Sequence, residues 1–365
     1  MKKRPIIVCG LNHVSDKIAR HYQILSELSK RKVFIYSDDV TGNSMEISKK
    51  YSNIRFLKIP RNKKENLTKF WYLLTKNNPA HVEIYFSSKS SLVHLGYLIL
   101  VKLLRLPLVS FCRGGELLYW DNHSYRVRFI YWLTLKLSKL ILYKQLHMPT
   151  KLKELNISER KTHFFYNRVP YNSSPPKPVE ERMGVLYLNS WRKFRRPDIA
   201  VNVGIKLAKK YPGVRFTVAG ERYWAKEYYS RARFQELINS AGLEGRVNLV
   251  SWVDNPENLF NSHSIFLLPS ELVFLNYSLL EAMERGLVPV VSDAEGANNV
   301  ITHGEDGLIV KLNTGSFIEA VDYLLSNIDK LRTMSAKARE KVKEKFNLHT
   351  GMEELISIYK NKVWK

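Results

Sequence analysis

Cysteine is scarce in this chain: Cys9 and Cys112 are the only two in 365 residues. Two thiols cannot frame a disulfide-dense secreted fold, and they lack the spacing of metal-ligand pairs, so a reducing compartment is expected. Long apolar runs are missing as well. The most apolar stretch, Leu92 to Val109, is broken by His94, Lys102, Arg105 and Pro107, whereas a membrane-spanning helix needs about 20 mostly uncharged residues. There is no Gly-x-Gly-x-x-Gly, no P-loop, no Asp-x-Asp, no His-x-x-x-His and no Gly-x-Ser-x-Gly. Dinucleotide binding, metal-held diphosphate and serine-hydrolase chemistry are therefore left without a motif. After Met1-Lys2-Lys3-Arg4 only Ile6 to Val8 is apolar, too short for the core of a secretory leader, and a cytoplasmic location is expected.

Acidic residues are few: 34 against 58 lysines and arginines, a net charge of +24. The shortage is uneven. Residues 1–172 hold 31 basic and 11 acidic residues, a net of +20, while residues 173–365 hold 27 and 23, a net of +4. So basic a first half attracts phosphates, whether of nucleic acid, anionic lipid or a charged substrate. A hydrophobic content of 45% speaks against a disordered chain despite that charge.

What is present is alternation. Short β-rich runs at 6–9, 33–37, 54–59, 82–87 and 108–112 are separated by helical patterns at 16–31, 65–76, 91–105 and 124–142. The stretch Asn172-Ser173-Ser174-Pro175-Pro176-Lys177-Pro178 then forbids helix or ladder and reads as a linker. Beyond it strands at 184–188, 215–219, 247–250, 264–268, 288–291 and 307–310 alternate with helices at 197–210, 226–241, 255–262 and 277–285, and helices near 314–345 and 349–362 close the chain. The pattern predicts an α/β protein with two tandem doubly wound, Rossmann-like domains, 1–172 and 173–345, and a C-terminal helix in 346–365 is expected to pack back on the first domain. A ligand site is expected in a cleft where the two domains face each other, at the carboxyl ends of the strands.

Two segments after the linker carry chemistry. In Leu267 to Val291 a buried strand ends at Pro269-Ser270, a loop follows, and a helix begins at an Asn276 N-cap and stops at Gly286. The amides of Tyr277, Ser278 and Leu279 then suit a diphosphate. Glu281, one turn further in, suits ribose hydroxyls, although a glutamate there also complements the helix dipole. The second segment is Asn189-Ser190-Trp191-Arg192-Lys193-Phe194-Arg195-Arg196-Pro197, with four cations within five residues directly after a strand. Such a loop is placed to neutralise a diphosphate, or it is an exposed basic turn.

The order Pro269-Ser270, Glu281-Ala282-Met283, Gly286, Pro289-Val290-Val291, then Ser292-Asp293, Gly296 and Gly307-Leu308-Ile309-Val310 resembles the nucleotide-sugar-binding motif of the GT-B glycosyltransferases of family 4 (group 1). The resemblance implies a retaining, metal-independent transferase that takes a nucleoside diphosphate sugar as substrate, with no cofactor. By resemblance Arg192, Lys193 and Arg195 hold the leaving diphosphate, with Ser190 at the family's arginine position. Glu281 holds the ribose, Gly220 lies in a loop near the base, and Glu271 or Asn276 reaches the sugar. The family's first glutamate, eight residues before Glu281, falls on Val273. On the acceptor side Gly10 and His13 follow the first strand, and Arg113, Gly114 and Glu116 follow the fifth, with Arg113 in the place of a family histidine. A permanent cation there suits phosphate better than proton shuttling. The basic first half then implies an anionic, lipid-linked or glycan acceptor and peripheral association with an anionic membrane, with no nucleic acid partner. The alternatives are a non-catalytic or weakly active binding protein of the same fold, or a nucleotide-sugar epimerase.

Overall fold

The computed structural model describes residues 3–11, 14–37, 49–86, 91–112, 117, 119–221, 229–273 and 276–364. The chain divides into two compact units, Met1–Tyr166 with Leu348–Lys365, and Asn167–Asn347.

The first unit is built on seven parallel strands: β1 (Ile6–Leu11), β2 (Val33–Ser37), β3 (Ile54–Lys58), β4 (His81–Tyr85), β5 (Leu108–Cys112), β6 (Leu140–Tyr143) and β7 (Thr162–Phe164). Their order is β3-β2-β1-β4-β5-β6-β7, so the direction of winding reverses between β1 and β4. Strands in the middle of a parallel sheet are covered on both faces and carry unbroken apolar runs. In β1, Ile6 and Val8 join the core beneath α1 (Asp16–Ser29), while Ile7 and Cys9 join the core beneath α2 (Lys63–Asn77), α3 (Ser91–Leu103) and α4 (Tyr125–Leu137). A short α5 (Met148–Glu154) precedes β7. Side chains start the helices: Ser15 Oγ accepts from the Ile18 amide at 3.4 Å, and Asn62 Oδ1 accepts from those of Lys64 and Glu65.

The second unit carries a six-stranded parallel sheet, β8 (Gly184–Leu188), β9 (Arg215–Glu221), β10 (Val247–Ser251), β11 (Ile265–Leu268), β12 (Val288–Ser292) and β13 (Leu308–Val310), in the order β10-β9-β8-β11-β12-β13. Here the winding reverses between β8 and β11. The helices are α6 (Pro197–Ala208), α7 (Arg231–Ser240), α8 (Glu257–Asn261), α9 (Tyr277–Glu284), α10 (Ala297–Val300), α11 (Thr314–Ser326) and α12 (Ile328–Lys345). The chain's last helix, α13 (Leu348–Lys362), packs on α1 within the first unit.

Several sequence expectations need correction. The helix expected over 124–142 stops at Leu137, and Leu140 to Tyr143 form β6 between β5 and β7. A four-residue apolar run has no readable period, and the neighbouring strand edges decide its state. The helix expected over 314–345 is two helices that meet at Asn327. The boundary expected at 172/173 falls at 166/167, and the returning segment begins at 348. The proline-rich segment is no loose tether. The Asn172 amide donates to Glu284 Oε1 at 2.8 Å, Arg339 donates to the Asn172 and Ser174 carbonyls, and Val169 bridges Asn347.

Candidate active site

The residues expected to hold a nucleotide converge where the second sheet reverses direction. After β8 the chain runs through Asn189 and Ser190 to Trp191, which is fully buried, then to a single turn at Lys193–Arg195. Tyr187, a buried residue of β8, holds that loop from beneath: its hydroxyl lies 3.2 Å from the Ser190 carbonyl and 3.3 Å from that of Arg195. Across the reversal, β11 ends in the Pro269-Ser270 turn. Arg195 Nη1 donates to Ser270 Oγ at 3.0 Å and to the Leu272 carbonyl at 2.8 Å. The Glu271 amide donates back to the Phe194 carbonyl at 2.9 Å. The basic loop and the Pro-Ser loop are therefore one hydrogen-bonded structure at the position where open α/β sheets take their ligands.

The four cations of the loop have separate jobs. Arg195 is the bolt between the two loops, and burial holds its guanidinium below the usual arginine range. Arg196, in a left-handed conformation at φ 46°, pairs with Asp198 through Nε and Nη2 at 3.0 and 2.8 Å. Arg192 and Lys193 are exposed.

Gly220 is required by close approach. Its φ is +112°, and an added Cβ would lie 2.1 Å from the Asn189 carbonyl oxygen. Gly10 repeats the arrangement in the first sheet, with φ +80° and a Cβ position 1.9 Å from the Tyr85 oxygen, between the two strands where that sheet reverses. Both glycines let a strand end fold tightly over its neighbour. Three buried polar atoms at the ends of β8 and β9 have no protein partner: Asn189 Nδ2 and Trp191 Nε1 in the loop after β8, and Glu221 Oε1 on the last residue of β9. Glu221 Oε2, in contrast, takes a hydrogen bond from Arg231 at 2.9 Å. Unpaired buried polar atoms cost about 1–3 kcal/mol each, so a cluster of them at strand ends fits a site that a polar ligand or water completes. Glu221 follows Gly220 in the turn that the resemblance places near the base, while Trp191 and Ser270 carry no site signal of their own beyond the segments that contain them. The Pro-Ser pair was the available signal for Ser270; a buried tryptophan has none.

Helix α9 alters one expectation. Asn276 is its N-cap, but the Asn276 side chain accepts the Leu279 amide at 3.1 Å. That amide is occupied and not open to a ligand, because the N-cap asparagine satisfies the third-position donor. Tyr277 and Ser278 are the first two helical positions. Glu281 is half-buried on the second turn, and Glu271 is exposed. Val273, at the position of the family's first glutamate, is fully buried. Four acceptor-side residues, His13, Arg113, Gly114 and Glu116, lie outside the described residues.

Residues 173–341 match the family of glycosyl transferases, group 1. The match spans a little under half of the chain. Among curated proteins, 177 residues are 31% identical to N-acetyl-alpha-D-glucosaminyl L-malate synthase of Bacillus anthracis, a match that covers 48% of this chain and 44% of that protein. A further 29% identity over 118 residues links it to the UDP-Gal:alpha-D-GlcNAc-diphosphoundecaprenol alpha-1,3-galactosyltransferase of Escherichia coli, over 32% of this chain and 30% of that one. The chain thus matches less than half the length of these relatives. The crystal structure of Anabaena Alr3699/HepE in complex with UDP superposes with a TM-score of 0.77 over 98% of this chain and 100% of the other, at 14% identity. The fold is the GT-B arrangement of two parallel α/β sheets.

Proposed function

We propose that the protein is a glycosyltransferase that moves a sugar from a nucleoside diphosphate sugar to an anionic, lipid-linked or glycan acceptor. In this reading it acts with retention of configuration and without a catalytic metal. The observation that carries it is the locked pair of loops at the reversal of the second sheet, which presents Arg192 and Lys193 while Arg195 fixes the loop. As the glycosidic bond to the diphosphate breaks, negative charge grows on the leaving oxygen. Cations already in place stabilise that charge without reorganising. Arg192 and Lys193 bind the diphosphate, the amides of Tyr277 and Ser278 supplement them, Glu281 takes the ribose, and Glu271 or Asn276 approaches the sugar. The acceptor enters on the first unit, near Gly10. The Escherichia coli relative's name includes a diphosphoundecaprenol acceptor, which supports a lipid-linked acceptor and peripheral membrane association here.

A second reading has its own support. Val273 is a core residue where the family pattern has glutamate, and this favours a protein that binds a nucleotide sugar with little or no turnover.

The test is titration with UDP and a panel of UDP-sugars, together with nucleotide release in the presence and absence of a chelator. Transfer is expected to survive chelation, and NMR of the product is expected to show the donor's anomeric configuration. In an R192E/K193E variant, UDP affinity is expected to fall about 100-fold, the scale of two lost charge-assisted phosphate contacts. Binding without release selects the second reading. No binding of any nucleotide overturns both.

A further inference from the structure

Helix α3 is apolar around nearly its whole circumference, a pattern proper to helices covered on all sides. Its inner side is covered: Tyr97, Leu98 and Val101 are buried against the sheet. Its outer side is not. Leu92, Ile99 and Leu103 are 49%, 50% and 68% exposed, and on the adjacent α4 Tyr125 and Phe129 are 85% and 56% exposed. A groove of about 330 Å³ runs between the two helices, lined by Leu95, Ile99, Leu103, Leu133 and Leu137, with Lys102 at its rim. Apolar patches of this kind on a protein surface mark interaction sites.

The rim says what kind of partner. Residues 91–139 contain seven lysines and arginines and only two acids. Neither α3 nor α4 contains an acidic residue. Cations sit on aromatic rings: the Arg128 guanidinium lies 4.5 Å from the Tyr125 ring centre, and Lys136 Nζ lies 5.6 Å from that of Trp132. Aliphatic residues in the middle, with aromatics and cations around them, match the depth profile of a bilayer interface, where phosphates overlie acyl chains. A second copy of the chain is a poor occupant, since each copy carries +24.

We propose that the outer face of α3 and α4 is the surface by which the first unit docks on an anionic bilayer. Leu92, Ile99, Leu103 and Phe129 enter the acyl boundary, while Lys102 and Arg126 meet lipid phosphates. The inference deepens the peripheral-membrane part of the proposed function and rests on it, but it is independent of which donor is bound.

The experiment is cosedimentation of the full chain with phosphatidylcholine vesicles, with and without about one third phosphatidylglycerol. UDP titration is run on the same preparations. Binding is expected only to the anionic vesicles, and it weakens as salt is raised. Two double variants of exposed residues, I99S/L103S and K102E/R126E, are each expected to lose about tenfold in vesicle affinity and to keep wild-type UDP binding and circular dichroism. Three results overturn the proposal: no binding of the wild type to anionic vesicles, no effect of either double variant, or a dimer in sedimentation velocity that I99S/L103S dissolves. Vesicle binding with no UDP binding leaves the docking face standing and removes the donor reading instead. UDP binding without vesicle binding does the reverse.

Discussion

Single residues in this protein show how much placement matters beyond identity. Four cations in one loop look alike as letters, yet one bolts two loops together, one is paired to Asp198, and two are presented to solvent. Two histidines show the same dependence in their protonation. His263 is fully buried, its Nδ1 bonded to the Leu259 carbonyl at 2.6 Å and its Nε2 2.8 Å from the Thr217 hydroxyl, and burial lowers its pKa to about 4. His94 in the first unit, 3.2 Å from the Thr134 hydroxyl, is lowered by burial to about 3. Below the unfolded value of about 6.5 an unfolded histidine takes up a proton that the native one refuses, so acid favours unfolding. Each histidine therefore withdraws about 1.4 kcal/mol of stability per pH unit between about pH 6.5 and its native pKa. Urea unfolding of the wild type over that window is expected to show the combined slope, and H263Q to be shallower by one proton. An unchanged slope in H263Q would mean that the imidazole titrates normally in the fold.

At the scale of elements, much of the architecture is readable from the sequence because the parallel strands are short apolar runs set off by glycine, proline and amphipathic helices. Legibility fails where local pattern carries no information. Leu140 to Leu142 suit a helix end as well as a strand, and only the open edge of β5 makes them β6. The break at Asn327 lies inside a continuous helical pattern. In the candidate site, the loop cations and the α9 cap follow from spacing, but the Arg195–Ser270 bond joins residues 75 apart and needs the fold to be seen. The cap also carries a prediction. Asn276 holds the Leu279 amide through its side-chain oxygen, and aspartate caps equally well while adding a negative charge beside the helix N-terminus. N276D is expected to leave stability within about 1 kcal/mol of wild type. UDP affinity is expected to fall about tenfold through repulsion of the diphosphate. Unchanged affinity by calorimetry would place the diphosphate away from α9.

At the scale of the whole molecule, the chain visits the first unit twice. Helix α13 and the turn after it belong to it and bury Leu348, Met352, Leu355, Ile356, Tyr359 and Val363 against α1 and the sheet. It also completes a buried polar cluster around Glu83 of β4. Tyr22 donates to Glu83 Oε2 at 2.6 Å, and Tyr359 and His81 donate to Oε1 at 2.6 and 3.1 Å. Trp364 Nε1 donates to His81 Nδ1 at 2.8 Å, which leaves the His81 proton on Nε2, facing the carboxylate. Burial by itself would raise the Glu83 pKa, but His81 beside it and the hydroxyls of Tyr22 and Tyr359 outweigh burial and hold the carboxyl below its ordinary value. Removing residues 348–365 takes away six apolar side chains worth about 1.5–3 kcal/mol each, against about 5–15 kcal/mol for a whole domain. It also uncovers a charge that the remaining partners cannot shield. The truncated chain is expected to lose hydrogen-exchange protection in β1 to β7 while β8 to β13 keep theirs, since the second unit contains none of the removed residues. The milder Y359F, which withdraws one hydrogen bond from a buried carboxylate, is expected to destabilise only the first unit by about 1–3 kcal/mol. Full protection of β1, β4 and β5 after truncation would show that α13 covers the first unit without holding it together.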